Sequence, residues 1–242
     1  MFIQEIIIVY LITFIGYLLF IYLLLKQKTK NKPISITIDG NIGSGKSTLL
    51  HLLSKHPTFK NNYVFIPEPV SVWNNFKESD GTTILTNFYN DKKKWGYVFQ
   101  SMAFITRYIS IKNNKNNNII AERSVYTDRN VFANLLYKEG CINKIEMGIY
   151  NYCFNNFNVD IDLFIYLDTS VKNCSKRIIS RNRNGEDAIN EEYLTSLEKE
   201  HINWFNNISN SLFIDGNVDF VDDKNELDRM LNHIYTKINE LK

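Results

Sequence analysis

The sequence predicts an α/β three-layer sandwich: a five-stranded parallel sheet with helices on both faces, preceded by an N-terminal transmembrane helix. Three observations carry this. From residue 34 onward, short apolar runs alternate with longer amphipathic ones. A glycine-rich loop ending in Gly45-Lys46-Ser47 separates the first strand from the first helix. Ahead of both, Ile6 to Leu25 is 20 residues without a charge. A chain of 242 residues accommodates one large domain with an appendage. Its 44% hydrophobic and 22% charged residues exclude wholesale disorder.

Taken in order, residues 1–5 are a short tail and 6–25 the expected membrane anchor. At about 1.5 Å per residue, such a helix rises roughly 30 Å, the thickness of a bilayer core. No positive region precedes it and no small-x-small site follows, which argues against a cleaved signal peptide. Lys26, Lys28, Lys30 and Lys32 follow within a polar linker, 26–33, that ends in Pro33. By the positive-inside rule they place the body, 34–242, on the cytosolic side of a single-pass membrane protein.

In the body, strands are expected at 34–39, 63–66, 118–121, 163–168 and 212–215. Helices are expected at Ser47–Ser54, Lys94–Ile111, Thr127–Lys138, Lys144–Phe157, Val171–Arg181, Glu191–Asn207 and Asp223–Leu241. Strands separated by helices imply parallel pairing and a sheet covered on both sides.

Charge narrows the partners. The net +2 arises from +3 in the first 33 residues, which leaves −1 for all that follow. A nucleic-acid surface would need many basic phosphate contacts, so nucleic acid is not expected as a partner. Cys141, Cys153 and Cys174 show no CxxC spacing, and His51, His56, His201 and His233 show no metal-ligand spacing. A disulfide scaffold and a zinc module are both excluded as readings, and the cysteines are expected to be thiols.

Gly40-Asn41-Ile42-Gly43-Ser44-Gly45-Lys46-Ser47-Thr48 fits G-x-x-x-x-G-K-[ST] between a strand and a helix. This is the phosphate loop of P-loop NTPases. Its glycines let the backbone turn N–H groups toward phosphate oxygens, and the helix N-terminus adds a positive dipole end. Lys46 would bridge the outer phosphates and Ser47 would hold Mg²⁺. The loop alone specifies a nucleoside triphosphate and no particular acceptor.

Five further segments follow in order: Ile66-Pro67-Glu68-Pro69-Val70 with Trp73; Phe88-Tyr89; Phe99-Gln100 with Arg107; Glu122-Arg123-Ser124 with Tyr126-Thr127-Asp128-Arg129; and Arg177, Arg181, Arg183 with Glu186. Over about residues 34–235 the chain resembles the deoxyribonucleoside kinase family. The resemblance implies ATP as phosphoryl donor with Mg²⁺, a deoxyribonucleoside acceptor phosphorylated at its 5′-hydroxyl in nucleotide salvage, and a homodimer built through helices.

Several roles follow from it. Glu68, at a strand's C-terminal end, is the candidate base and Arg123 the group that holds the 5′-oxygen and the transferred phosphoryl. Glu122 joins Ser47 as a candidate for the Mg²⁺ shell. Arg177, Arg181 and Arg183 resemble the lid arginines that close over the donor phosphates, although Gly185 beside the lid acid departs from the family's pattern. Tyr89 and Glu186 match the pair on the sugar 3′-hydroxyl. Trp73, Phe88 and Phe132, with Ile42 and Ala103 nearby, are the expected walls of the base pocket. Gln100 offers adjacent acceptor and donor to a base edge. The positions of Arg107 and Asp128 imply deoxycytidine or deoxypurines ahead of thymidine. A thymidylate-type nucleotide kinase and an inactive membrane-tethered nucleotide-binding protein are the competing expectations.

Overall fold

Five strands, β1 (Ser35–Asp39), β2 (Val64–Ile66), β3 (Ile119–Glu122), β4 (Leu163–Asp168) and β5 (Ser211–Asp215), form one sheet. Their order is β2-β3-β1-β4-β5, and every neighbouring pair is parallel. The computed structural model describes residues 13–21, 32–157, 159–183 and 185–241. The longer helices of the body are α1 (Lys46–Lys55), α2 (Ile84–Asn90), α3 (Lys92–Lys112), α4 (Lys144–Asn156), α5 (Val171–Arg181), α6 (Glu191–Phe205) and α7 (Lys224–Asn239).

Alternation along the strands sorts the two faces. Ile36 and Ile38 of β1, Ile120 of β3 and Leu163, Ile165 and Leu167 of β4 pack with Leu49, Leu50 and Leu53 of α1 and Met230, Leu231 and Ile234 of α7. On the opposite face, Ile119 and Ala121 meet Ile111 of α3, and Phe164 and Tyr166 meet Phe205 of α6. The intervening β1 residues, Thr37 and Asp39, are polar and wholly buried on that second face. The α/β class and the parallel sheet are therefore as the sequence predicts.

This strand order sets the site. From β1 the chain moves outward to β2, returns to β3, then crosses to β4 and β5 on the other side. The order reverses beside β1, and the loops at the C-terminal ends of β1 and its neighbours open a crevice there.

Two helical features differ from the expectation. The stretch read as one helix over Thr127–Lys138 is a turn at Val125–Thr127, a π-helical segment at Asp128–Ala133 and an α-helix at Asn134–Lys138. The wider π turn shifts the face on which later side chains emerge. Helix α2 was not expected. Its seven residues, ILTNFYN, are too short and too rich in Asn and β-branched types to show a period. It is held by a cap, in which the Thr83 side chain accepts from the Thr86 N–H, and by burial of Ile84, Leu85 and Phe88.

The membrane expectation needs correction. Among the described residues, no helix is long and apolar enough to cross a membrane. Within the segment expected to span, 6–25, the described part is a helix over 13–21. The single-pass anchor and the cytosol-facing orientation built on it thus have no spanning helix among the described residues. Residues 6–12 and 22–25, the tail 1–5 and linker residues 26–31 lie outside the described residues.

Candidate active site

A cavity of about 500 Å³ opens at the crevice beside β1, and it gathers residues from the loops after β1, β2, β3 and β5 and from α5. At one end lies the phosphate loop. Gly43 has φ 77°, and a Cβ there would sit 2.5 Å from the Cys174 carbonyl oxygen, so only glycine allows the loop to pass α5. Gly40, at φ 145°, is equally confined, with 2.7 Å to the Leu167 carbonyl oxygen. Lys46 is buried and curls back, donating to the Asn41 carbonyl at 2.6 Å and to Ser44 Oγ at 3.3 Å. Burial, and then the Arg123 guanidinium, hold its pKa down at about 7 against the pull of Glu122 and Glu68. Ser47 Oγ donates to Glu122 Oε1 at 2.8 Å.

A cluster of ions forms the floor. Arg107, on α3, donates from Nε to Asp128 Oδ2 at 2.8 Å, from Nη1 to the Glu122 carbonyl at 2.8 Å and from Nη2 to Glu68 Oε1 at 3.3 Å. Glu68 follows β2 between Pro67 and Pro69, and its Oε1 also lies 3.4 Å from Arg123 Nε. Burial pushes the Glu68 carboxyl upward, but Arg123, Arg107 and Lys46 outweigh it and leave the pKa below the usual range. Arg107 keeps its charge because Asp128 and Glu68 overcome its burial. Asp128 is raised, burial there outweighing the Arg107 guanidinium.

Arg123 is built under constraint. It has φ 63°, a left-handed conformation that non-glycine residues seldom adopt. Its N–H donates to the Ile38 carbonyl at 3.0 Å and its Nη1 to the Gly40 carbonyl at 2.8 Å. The guanidinium lies 4.8 Å over the Phe132 ring.

The far end of the cavity is aromatic. Phe88 stacks on Phe99 at 4.6 Å, and Trp73 meets Phe99 edge-on at 5.2 Å. Trp73 Nε1 donates to Thr106 Oγ1, which fixes the indole plane. Gln100 is buried beside this slot, and its Oε1 has no hydrogen-bond partner among the described residues. A buried acceptor left unpaired is costly, and its place in the cavity wall suits a ligand donor. Along one side, Glu186 is buried and gripped by Arg181, from Nη2 at 2.7 Å and Nε at 3.1 Å, and by Arg183 at 3.4 Å. Tyr89 also lines this side, and burial, then Glu186 and Glu68, push its hydroxyl well up, so it stays protonated.

Most sequence-predicted site residues thus line one cavity: Ile42, Gly43, Gly45 to Thr48, Glu68, Trp73, Phe88, Tyr89, Gln100, Ala103, Arg107, Glu122, Arg123, Asp128, Phe132, Arg177, Arg181, Arg183 and Glu186. Gly40, Asn41 and Ser44 do not; they build the loop from behind. The Asn41 side chain donates to the Leu194 carbonyl and accepts from the Ile42 N–H, and the Ser44 carbonyl accepts from Arg177 and Thr169. Arg177 also donates to the Gly216 carbonyl at 3.0 Å, which ties the phosphate loop to the loop after β5.

Leu85, Phe99, Ser180 and Val218 to Val221 line the cavity as well and were not expected as site residues. Phe99 was detectable, because Phe99, Ala103 and Arg107 recur every four residues on one helical face. Val218–Val221 carry no motif. Only their place after a strand's C-terminal end could have marked them.

Comparison with known proteins follows this geometry. Residues 36–239 match the family model described as deoxynucleoside kinase. A probable deoxycytidine kinase of fowlpox virus (strain NVSL) is 37% identical over 219 residues, covering 85% of this chain and 88% of that protein. Deoxycytidine kinase 2 of Gallus gallus is 34% identical over 236 residues, covering 82% and 88%. Deoxycytidine kinase of Homo sapiens is 31% identical over 204 residues, covering 74% and 76%.

The low pKa of Lys46 generates a prediction. An oligophosphate beside the amine would restore its pKa toward the ordinary 10.5, so binding above pH 7 must take up a proton. At pH 8 uptake should approach about one proton, and affinity should fall as pH rises from about 7 toward 10. Calorimetric titration with a nucleoside triphosphate, in two buffers of different ionisation heat, measures this directly. Equal enthalpies in both would mean that the amine is already charged.

Proposed function

The chain belongs to the deoxynucleoside kinase family, and on that premise we propose that it transfers the terminal phosphoryl of ATP to the 5′-hydroxyl of deoxyribonucleosides, with deoxycytidine or deoxypurines accepted ahead of thymidine. The observation that carries this is the placement of Glu68: one carboxylate, held by two guanidiniums, between the phosphate loop and an aromatic slot of base size. The family match selects a nucleoside over a nucleotide as phosphoryl acceptor, against the thymidylate-kinase alternative.

The chemistry assigns each group a task. The donor phosphates lie on the loop's N–H groups and Lys46, with Arg181 and Arg183 closing from the lid. The 5′-oxygen attacks the terminal phosphorus, the bond to the leaving diphosphate breaks, and the 5′-hydroxyl proton passes to Glu68. Arg107 and Arg123 keep Glu68 ionised and ready to accept it. Arg123 offers its remaining N–H groups to the moving phosphoryl, whose charge a guanidinium matches. A hydroxyl and a carboxylate in contact, Ser47 and Glu122, suit Mg²⁺, which keeps most of its shell as water and phosphate oxygens. When bound there, the ion would neutralise charge between the outer phosphates. Tyr89 and Glu186 take the sugar 3′-hydroxyl.

The base is selected by acceptors. Gln100 Oε1 lacks a donor among the described residues, and Asp128 can only accept while it pairs with Arg107. Both suit an exocyclic amino group such as cytosine N4 or adenine N6. Thymine presents an acceptor there together with a methyl group. Relatives named deoxycytidine kinases support the same preference.

We further propose that the working form is a homodimer. Phe104 packs on Tyr150 and Tyr108 on Phe157, which sets α3 and α4 side by side. Their outer faces expose Val98, Ile105 and Ile109 beside Ile145, Ile149 and Tyr152, an apolar patch that a second copy would cover.

Three outcomes test these readings. Glu68→Gln should keep nucleotide binding while kcat falls about 10²-fold or more, and Arg123→Ala should lose at least as much; wild-type turnover in either would remove the assigned role. Arg107→Met with Asp128→Ala should shift preference toward thymidine by about 10²-fold, the size of relieving a buried acceptor set against the base's own acceptor. An unchanged ranking would place the pair outside base selection. Ile105→Asp with Ile149→Asp should sediment as a monomer where the wild type sediments as a dimer; identical profiles would refute the interface.

A further inference from the structure

Asp39 closes β1, wholly buried and outside the cavity wall. Strand alternation turns Thr37 and Asp39 away from the Ile36 and Ile38 side, so a carboxylate lies inside the protein with no substrate in reach. Each of its oxygens accepts a threonine hydroxyl. Thr37 Oγ1 donates to Oδ2 at 2.7 Å, and Thr127 Oγ1 donates to Oδ1.

The second of these contacts leads to the chemistry. Thr127 ends the turn that begins at Ser124, and the two close a reciprocal cap. Ser124 Oγ accepts from the Thr127 N–H at 3.3 Å, and Thr127 Oγ1 accepts from the Ser124 N–H at 3.4 Å. The Thr127 hydroxyl is therefore fully used, accepting from the turn and donating to Asp39. Arg123, in its left-handed conformation, immediately precedes this turn, and Asp128 immediately follows it. The carbonyls on either side of Asp39 also hold Arg123, Ile38 at its N–H and Gly40 at its guanidinium. Three consecutive residues at the end of β1 thus grip one turn.

We propose that Asp39, acting through Thr127, is a positioning residue that fixes the Arg123 turn and so the guanidinium that meets the transferred phosphoryl; this rests on the role given to Arg123 above. A buried carboxylate with two hydroxyl partners is a poor device for stability alone, since apolar side chains of similar volume often serve as well. Its use is orientation. A strained backbone persists only where its surroundings over-determine it, and without Asp39 the Thr127 hydroxyl loses the acceptor that sets its direction.

The two threonines separate positioning from mere stability. Thr37→Val and Thr127→Val each remove one buried hydroxyl donated to Asp39, so both should lower the melting temperature by comparable amounts. Only Thr127 is tied to the Arg123 turn. Thr127→Val should lower kcat by about tenfold or more with the deoxynucleoside Kd within about threefold, since small misplacements at a reacting centre act on rate. Thr127→Ser, which keeps the hydroxyl, should restore kcat to within about twofold, and Thr37→Val should stay near wild type. Equal kcat for Thr37→Val and Thr127→Val, or a folded Thr127→Val at wild-type kcat, overturns the proposal. Should Thr127→Val not fold, Asp39→Asn decides, measured as kcat per folded active site: a fall of about tenfold supports positioning and a wild-type value refutes it. Loss of turnover in Arg123→Ala with normal turnover in Thr127→Val would end this inference alone; normal turnover in Arg123→Ala would end the reading of Arg123 on which it rests.

Discussion

Arg107 spends its guanidinium on three groups from three parts of the chain: Asp128 after β3, the carbonyl of Glu122 at the end of β3, and Glu68 after β2. Burying an unpaired cation costs several kcal/mol, so these partners must be present together or the cluster does not form. Because Arg107 touches both Asp128 and Glu68, the two carboxylates cannot move independently. In the proposed reading, base selection and proton transfer share one anchor.

The sheet makes such an anchor possible. Strand order reverses beside β1, so the loops after β1, β2 and β3 converge without any of them being long. Phosphate loop, carboxylate and arginine then meet over a rigid floor, Ile36 and Ile38 beneath and α1 and α7 behind. The rigidity has a use. A left-handed Arg123 costs on the order of 1–3 kcal/mol, which only a well-packed strand end can sustain. On the lid side Arg181 and Arg183 are held by a single buried acid, Glu186, the group proposed to take the sugar hydroxyl, while Arg177 is held by the Ser44 and Gly216 carbonyls. In the proposed reading, sugar binding and phosphate closure draw on the same ion pairs.

Much of this was legible in the sequence, for physical reasons that differ by element. The strands were visible because short runs rich in β-branched or aromatic residues, such as ISITID and LFIYLD, have no helical period, and α5 was expected at the residues where it lies, Val171–Arg181. The phosphate loop was visible because only glycine passes so close to Leu167 and Cys174. Its back wall was not: Asn41 and Ser44 look like ligand residues in the motif, yet their side chains and carbonyls hold the loop to α6, Thr169 and Arg177. The π turn at Asp128–Ala133 leaves no mark in composition. The wall at Val218–Val221 depends on tertiary placement alone. The apolar run at 6–25 lies partly outside the described residues, and among those described no helix is long and apolar enough to cross a membrane.

The central claim is that acceptors at the base edge, wired through Arg107 to the Glu68 carboxylate, choose the nucleoside. The most direct measurement offers the wild-type protein ATP, Mg²⁺ and an equimolar mixture of deoxycytidine, deoxyadenosine, deoxyguanosine and thymidine, and separates the monophosphates formed at early times. The account predicts that deoxycytidine or a deoxypurine 5′-monophosphate accumulates first, ahead of thymidine monophosphate by about 10²-fold, in keeping with the penalty for setting a base acceptor against buried acceptors. Thymidine monophosphate as the leading product would contradict it.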